Sequence, residues 1–123
     1  MKDLQEYTKE YQKELNYHIK NDSYERSKTS LLMNQMLLMT EVAEISELFR
    51  ELFVRTEKLI EEGYEEQEAF AIAKEQISVD LGKEISDCIA YLCKFSNFFN
   101  RDMESDFYNK MDEVKKRKRE KYR

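Results

Sequence analysis

The chain has 123 residues, with 26 acidic residues against 21 basic ones, a single histidine, two glycines and no proline. This length suits one domain, residues 1–123, and the lack of proline with abundant Glu, Lys, Leu, Met and Ala excludes a strand-rich fold and predicts an all-α one. The net charge of −5 argues against general nucleic-acid binding, and the longest uncharged run, Thr29–Thr40, is too short to span a bilayer.

The start, Met1-Lys2-Asp3-Leu4, has no apolar signal-peptide core, so a cytoplasmic location without a membrane partner is expected. A first helix is predicted over about Asp3–Lys20, with Leu4, Tyr7, Tyr11, Leu15 and Ile19 on its buried face. His18, in that helix, is away from the acidic pairs discussed below and is read as a surface or half-buried residue rather than a ligand. Asn21-Asp22-Ser23 is a turn-like break. A long second helix follows over about Ser27–Glu62, with Gly63 placed for a left-handed cap. The third runs from near Glu65 to about Asn100, with Ser78–Gly82 as the place for a bend. Asp102 is the expected N-cap of a fourth helix that enters the basic tail. The sum is a four-helix bundle. Cys88 and Cys93 are spaced for neither a redox motif nor a zinc pair and read as buried thiols.

The charge is unevenly spread. Residues 110–123 hold eight Lys/Arg and three acids, so residues 1–109 sum to −10. The tail reads first as a solvated helix whose cations complement its carboxyl end.

Among the i, i+3 acidic pairs, Glu41/Glu44 and Glu84/Asp87 stand apart by helical phase. Glu41 falls within a stripe made by Leu31, Leu38, Val42, Ile45, Phe49 and Leu52. Glu84 points into a face carrying Ile77, Leu81, Ile85, Cys88, Tyr91, Leu92, Phe95 and Phe99, with Asp87 at its border and Asp80 one turn earlier. Packing these faces together gathers four carboxylates in apolar surroundings, which is costly unless a cation or hydrogen-bond donors compensate. All-oxygen ligands suit a hard ion such as Mg²⁺, which commonly works with substrate phosphates. The bland alternative is that these are boundary residues or ion-pair partners. A di-iron bundle needs Glu-x-x-His pairs, and the only histidine lacks one. No Walker-type glycine loop is present. Tyr7, Tyr11, Phe49 and Tyr91 have the shape to stack on a base, although aromatic stripes at helical spacing are more often core.

The string Leu38-Met39-Thr40-Glu41-Val42-Ala43-Glu44-Ile45-Ser46-Glu47-Leu48 resembles the ExxE helix of MazG-like nucleotide pyrophosphohydrolases. Lys83-Glu84-Ile85-Ser86-Asp87-Cys88-Ile89-Ala90-Tyr91-Leu92 resembles their ExxD helix, and Asp102–Tyr122 is similar to their last, basic helix. The resemblance covers the chain from about Leu31 onward. It implies an all-α NTP pyrophosphatase fold, assembled as a homodimer or homotetramer with sites near subunit contacts. It also implies that Glu41, Glu44, Glu84 and Asp87 hold Mg²⁺, with Mn²⁺ as a substitute. Lys110 would meet a phosphate, and Asn97 stands where the family often has a polar residue near the substrate. The implied reaction takes a nucleoside triphosphate to a monophosphate and pyrophosphate. Glu44, at the border of its stripe where solvent can reach, is the residue read as the general base. The chain departs from the family in its long segment 45–83, in Ala43 for a usual glycine and in Val114 for a frequent asparagine. The competing readings are a non-enzymatic helical interaction module and a nucleic-acid binder that uses the basic tail.

Overall fold

The computed structural model describes residues 1–121, which form four helices and no strand: α1 (Lys2–Glu14), α2 (Tyr24–Glu61), α3 (Glu66–Phe98) and α4 (Met103–Lys121). Tyr122 and Arg123, the end of the predicted basic tail, lie outside the described residues. None of the described helices is long and apolar enough to cross a membrane.

Three helices end in the same way. Asn16, Gly63 and Asn100 take φ of 60°, 104° and 55°, the left-handed region that Gly and Asn tolerate best. At each, the chain turns back to bond two orphan carbonyls. Asn16 N–H donates to Lys13 O and Tyr17 N–H to Gln12 O; Gly63 and Tyr64 bond Ile60 O and Leu59 O; Asn100 and Arg101 bond Asn97 O and Ser96 O. This is the Schellman pattern. It corrects the first prediction, because α1 stops at Glu14 rather than continuing to Lys20. Leu15, His18 and Ile19 therefore leave the helix, and Ile19 is buried from the connecting segment.

The starts of α2, α3 and α4 are capped by side chains, while α1 begins at Met1 without one. Ser23 Oγ accepts the Arg26 amide at 3.2 Å, so α2 begins three residues before the predicted Ser27. A Glu65 carboxylate oxygen accepts the Glu68 amide at 3.2 Å, and Asp102 Oδ1, as predicted, accepts the Ser105 amide at 3.2 Å. The third helix passes through Ser78–Gly82 without a break.

Two compact units arise from these helices. The first, Leu32–Tyr91, is a helical hairpin of α2 and α3. Its α2 row of less exposed residues is Leu38, Glu41, Ile45, Leu48, Leu52, Thr56 and Leu59, spaced by threes and fours. Leu52, Ala73 and Ile77 form the buried core, with Leu59, Phe70 and Leu81 against it. Ala69 and Ala73 are fully buried. Leu52 beside Ala73 and Ile77 near the middle fixes the antiparallel register that sets Glu41 opposite Glu84 further along. Two residues expected in the α2 stripe, Val42 and Phe49, are exposed, as is Ile85 on α3. The buried row is narrower than the apolar arc because a single neighbouring helix covers only one seam.

The second unit comprises Met1–Leu31 and the chain from Leu92 on. Here α1 reverses the expected pattern. Gln5 and Gln12 are its buried residues, while Leu4, Tyr7, Tyr11 and Leu15 are exposed. Tyr7 and Tyr11 stack on each other, with ring centres 6.1 Å apart. Gln5 explains the inward polar face. Its Nε2 donates to Asn97 Oδ1 at 2.9 Å and to Arg101 O at 2.6 Å, and its Oε1 accepts the Met103 amide at 3.0 Å. One side chain thereby satisfies a carbonyl just past α3 and the first amide of α4, groups that helix ends otherwise leave orphaned.

Candidate metal centre

The hairpin places Glu41 between Leu38 and Ile45 on α2, and Glu84 between Leu81 and Cys88 on α3; both are half-buried. Asp87 stands one turn beyond Glu84 and is exposed. One carboxylate oxygen from each of Glu41, Glu84 and Asp87 lies within 4.8 Å of the others. Glu44, one turn beyond Glu41 and also exposed, reaches the same carboxyls. The structure thus brings together the four acids selected from the sequence. Asp80, on the same strip, is exposed and stands outside this group, and Glu47 turns to solvent beside Arg50 at 3.6 Å.

The electrostatics are those of crowded like charges. Glu84 is pushed up to about 7 by hydrogen bonds in which Glu44 and then Glu41 accept its proton, with burial and repulsion from both adding to the effect. Glu41 is also raised. Its hydrogen bond with Glu84 holds it down, but burial and the charges of Glu44 and Asp87 outweigh that bond. Burial, reinforced by the same negative charges, pushes up the Cys88 thiol and the Tyr91 phenol. Cys88 and Cys93 are buried free thiols, as expected.

Two oxygens at the centre lack compensation. Apart from a proton shared among the carboxyls themselves, Glu41 Oε2 and Glu84 Oε2 are shut from solvent and meet no donor among the described residues. None of the four acids forms an ion pair with Lys or Arg among the described residues. The ion-pair alternative for these positions therefore has no partner to rest on. A hard divalent cation fits the donor set: four carboxylates, no nitrogen or sulfur ligand, and two buried oxygens in need of positive charge.

The cluster opens into a groove of about 440 Å³ lined by Glu44, Glu47, Leu48, Arg50, Glu51, Val54 and Glu84. Arg50 is its one lining cation. Sequence reasoning did not select it, since an exposed arginine one turn past an acidic residue looks like ordinary helix-surface charge.

The two remaining sequence-predicted residues belong to the other unit. Asn97 is half-buried with its amide engaged by Gln5, accepting from Nε2 and donating to the Gln5 carbonyl at 3.3 Å. Lys110 is exposed on α4 and pairs with Glu113 at 3.6 Å. Of the aromatic candidates, Tyr7, Tyr11 and Phe49 are exposed and Tyr91 is half-buried.

No protein-family model matches the chain, and no curated protein or solved structure matches it.

Proposed function

We propose that this chain is a Mg²⁺-dependent nucleoside triphosphate pyrophosphohydrolase of the MazG-like type, releasing a nucleoside monophosphate and pyrophosphate. One observation carries the reading. Two carboxylate oxygens, Glu41 Oε2 and Glu84 Oε2, are buried without a donor where Glu41, Glu84 and Asp87 gather, with Glu44 reaching the first two. Burying such groups costs free energy, and a bound cation together with an anionic substrate returns it. The order and context of the two acidic motifs point to the family.

Glu41, Glu44, Glu84 and Asp87 would hold the ion, which when bound supplies positive charge to the phosphate oxygens as negative charge develops there. The chain's own residues handle orientation and the proton. Glu41 and Glu84 are half-buried in the helix seam, which limits their freedom to turn away. Glu44 is exposed at the mouth of the groove, where a carboxylate can take a proton from water, and it is the proposed general base. Leu48 and Val54 offer the groove an apolar wall, and Arg50 a cation for substrate phosphate. Lys110 and Asn97 are the further proposed substrate contacts.

Self-association, as a dimer or tetramer, is part of the proposal. Leu32, Met33, Met36 and Met39 lie on the side of α2 away from the seam and are 55–65% exposed. A helix apolar on all sides is normally covered on all sides. A cytoplasmic site of action follows from a nucleotide substrate.

The test is pyrophosphate release from a panel of canonical and modified nucleoside triphosphates, with and without Mg²⁺ or Mn²⁺. Metal-dependent pyrophosphate as first product is expected, with sedimentation showing at least a dimer at micromolar concentration. Orthophosphate as first product, or no turnover across the panel, overturns the assignment.

A further inference from the structure

The unit that lacks the acidic cluster contains a cavity of the opposite character. About 230 Å³ in volume, it is lined by Lys9, Gln12 and Lys13 of α1, by His18, Ile19 and Asn21 of the connecting segment, and by Lys94, Asn97, Phe98 and Asn100 at the end of α3. Three lysines reach it and no carboxylate lines it. In a chain with more acids than bases, such segregation is notable. Lys9 and Lys13 are four residues apart, so both lie over the same edge of α1. The acids of α1, Asp3, Glu6, Glu10 and Glu14, run beside these lysines, and a neighbouring groove that shares Lys9, Asn97 and Asn100 has Glu6 and Asp102 in its lining. Neither Lys9 nor Lys13 forms an ion pair among the described residues.

Lys94, on α3, lines the same cavity. It is half-buried, its ammonium is 5.9 Å from the centre of the Tyr17 ring, and burial followed by repulsion from Lys20 makes it easier to deprotonate than an ordinary lysine. A charge already destabilised by burial and by a like neighbour gains from an incoming anion. The floor is apolar, with Ile19 buried and Phe98 half-buried. Cationic rim and apolar floor together select an anion that carries an organic body, at a volume just below the usual range for small-molecule pockets of roughly 300–1,000 Å³.

We infer that this cavity is a binding site for a small phosphate monoester, with the phosphate between Lys9, Lys13 and Lys94 and the organic part resting on Ile19 and Phe98. The site does not depend on the acidic cluster, and of its lining residues only Asn97 is also a contact proposed for the triphosphate. Lys9 and Lys13 act as point charges on flexible stems, so a mobile phosphate suits them better than a planar carboxylate, which favours Arg.

His18 lines this cavity and is the single histidine of the chain, so its imidazole ring protons are a unique local reporter. The experiment uses the full, untagged chain in EDTA, where the metal-free carboxylates repel anions. Adenosine 5′-monophosphate, orthophosphate and adenosine are titrated separately, followed by proton NMR of His18 and by calorimetry. The monophosphate is expected to shift the His18 signals saturably and to bind at least tenfold more tightly than either of the others. Lys9→Gln with Lys13→Gln, both at exposed positions, should weaken it at least tenfold with unchanged circular dichroism, and Glu84→Gln should leave it unaltered. The inference is overturned if no probe moves His18 saturably, if orthophosphate binds as well as the monophosphate, or if the lysine variant keeps its affinity while Glu84→Gln loses it.

Discussion

The two units of this molecule each bury polar side chains where a helix face calls for apolar ones, and they do so with opposite consequences. In the α1 unit, Gln5 is buried, and its amide serves Asn97, Arg101 and Met103 with geometrically sound hydrogen bonds. In the hairpin, Glu41 and Glu84 are half-buried and each keeps one sealed oxygen without a donor. A satisfied buried polar group contributes to stability and fixes geometry; an unsatisfied one costs stability and persists where something absent from the chain completes it. The contrast separates a structural polar residue from a candidate functional one by its partners alone. Burial or residue type would not have separated them.

The largest test of this contrast is on activity. Removing a carboxylate proposed to hold the metal should cost most of the turnover, so Glu44→Ala and Asp87→Ala are each expected to lower pyrophosphate release by about a hundredfold to a thousandfold, the ~10²–10³ that one well-placed electrostatic contact is commonly worth in rate. Gln5→Ala should leave the rate constant of the folded fraction unchanged. A progress-curve assay of the purified variants distinguishes the cases, and near-normal rates for Glu44→Ala or Asp87→Ala break the functional half of the comparison.

Stability should respond in the reverse order. Gln5→Ala orphans the Met103 amide, the Arg101 carbonyl and half of the Asn97 amide, and a cost of about 3 kcal/mol is expected, since each buried polar group left unpaired costs ~1–3 kcal/mol. Urea unfolding followed by circular dichroism measures it. A loss below about 1 kcal/mol, the net worth of a single ordinary hydrogen bond, would mean that water replaces the glutamine and that the network is not structural. Glu84→Gln, by contrast, keeps the shape and removes a repelling charge, so in EDTA it should melt at or above the parent.

Metal should then restore the parent and not the variant. Saturating Mg²⁺, at a hundred times its dissociation constant, is expected to stabilise the parent by about 2.7 kcal/mol if the unfolded chain does not bind it. Glu84→Gln should lose most of that response. A parent indifferent to Mg²⁺ together with a clearly destabilised Glu84→Gln would mean that Glu84 anchors the fold, and the metal centre would fall.

Much of this was legible in the sequence, and the exceptions have physical causes. Helix number and type followed from composition and from punctuation: Gly63 and Asp102 ended and began helices where their backbone and capping chemistry predicts. The acidic pairs were found by phase, because Glu41 and Glu84 interrupt apolar rows. The end of α1 was missed because Asn16 signals a left-handed cap less strongly than glycine. The orientation of α1 was missed because periodicity marks an apolar row without saying what covers it. Leu4, Tyr7, Tyr11 and Leu15 form such a row, but the three hydrogen bonds of Gln5 turn the adjacent face inward. The cationic cavity was invisible for a third reason. Lys94 lies far from Lys9 and Lys13 in the chain, and the three line one cavity only because α1 and the end of α3 share one unit.

The smallest expected effect is a pH dependence, and it tests the electrostatic side of the contrast directly. Glu84 titrates at about 7 in the folded protein against an ordinary value near 4.5. Between those values the folded state holds a proton that the unfolded state has released, so stability falls as pH rises through this window. Its contribution is fully present below about pH 4.5 and is lost above about pH 7. Other carboxylates titrate in the same range, so the informative quantity is the difference in melting temperature between the parent and Glu84→Gln, in EDTA, from pH 4.5 to 8. The parent should lose ground steadily relative to the variant up to neutrality and then run parallel to it. With Mg²⁺ present, the cation takes over the role of the shared proton, and the relative decline should disappear or reverse, since acid now competes with metal. Gln5→Ala carries no titrating group and should show the parent's pH slope at a lower melting temperature. If parent and Glu84→Gln instead run parallel across the whole range in EDTA, the carboxylates are not crowded enough to share a proton, and the hairpin's buried acids are no more strained than the α1 unit's buried amides.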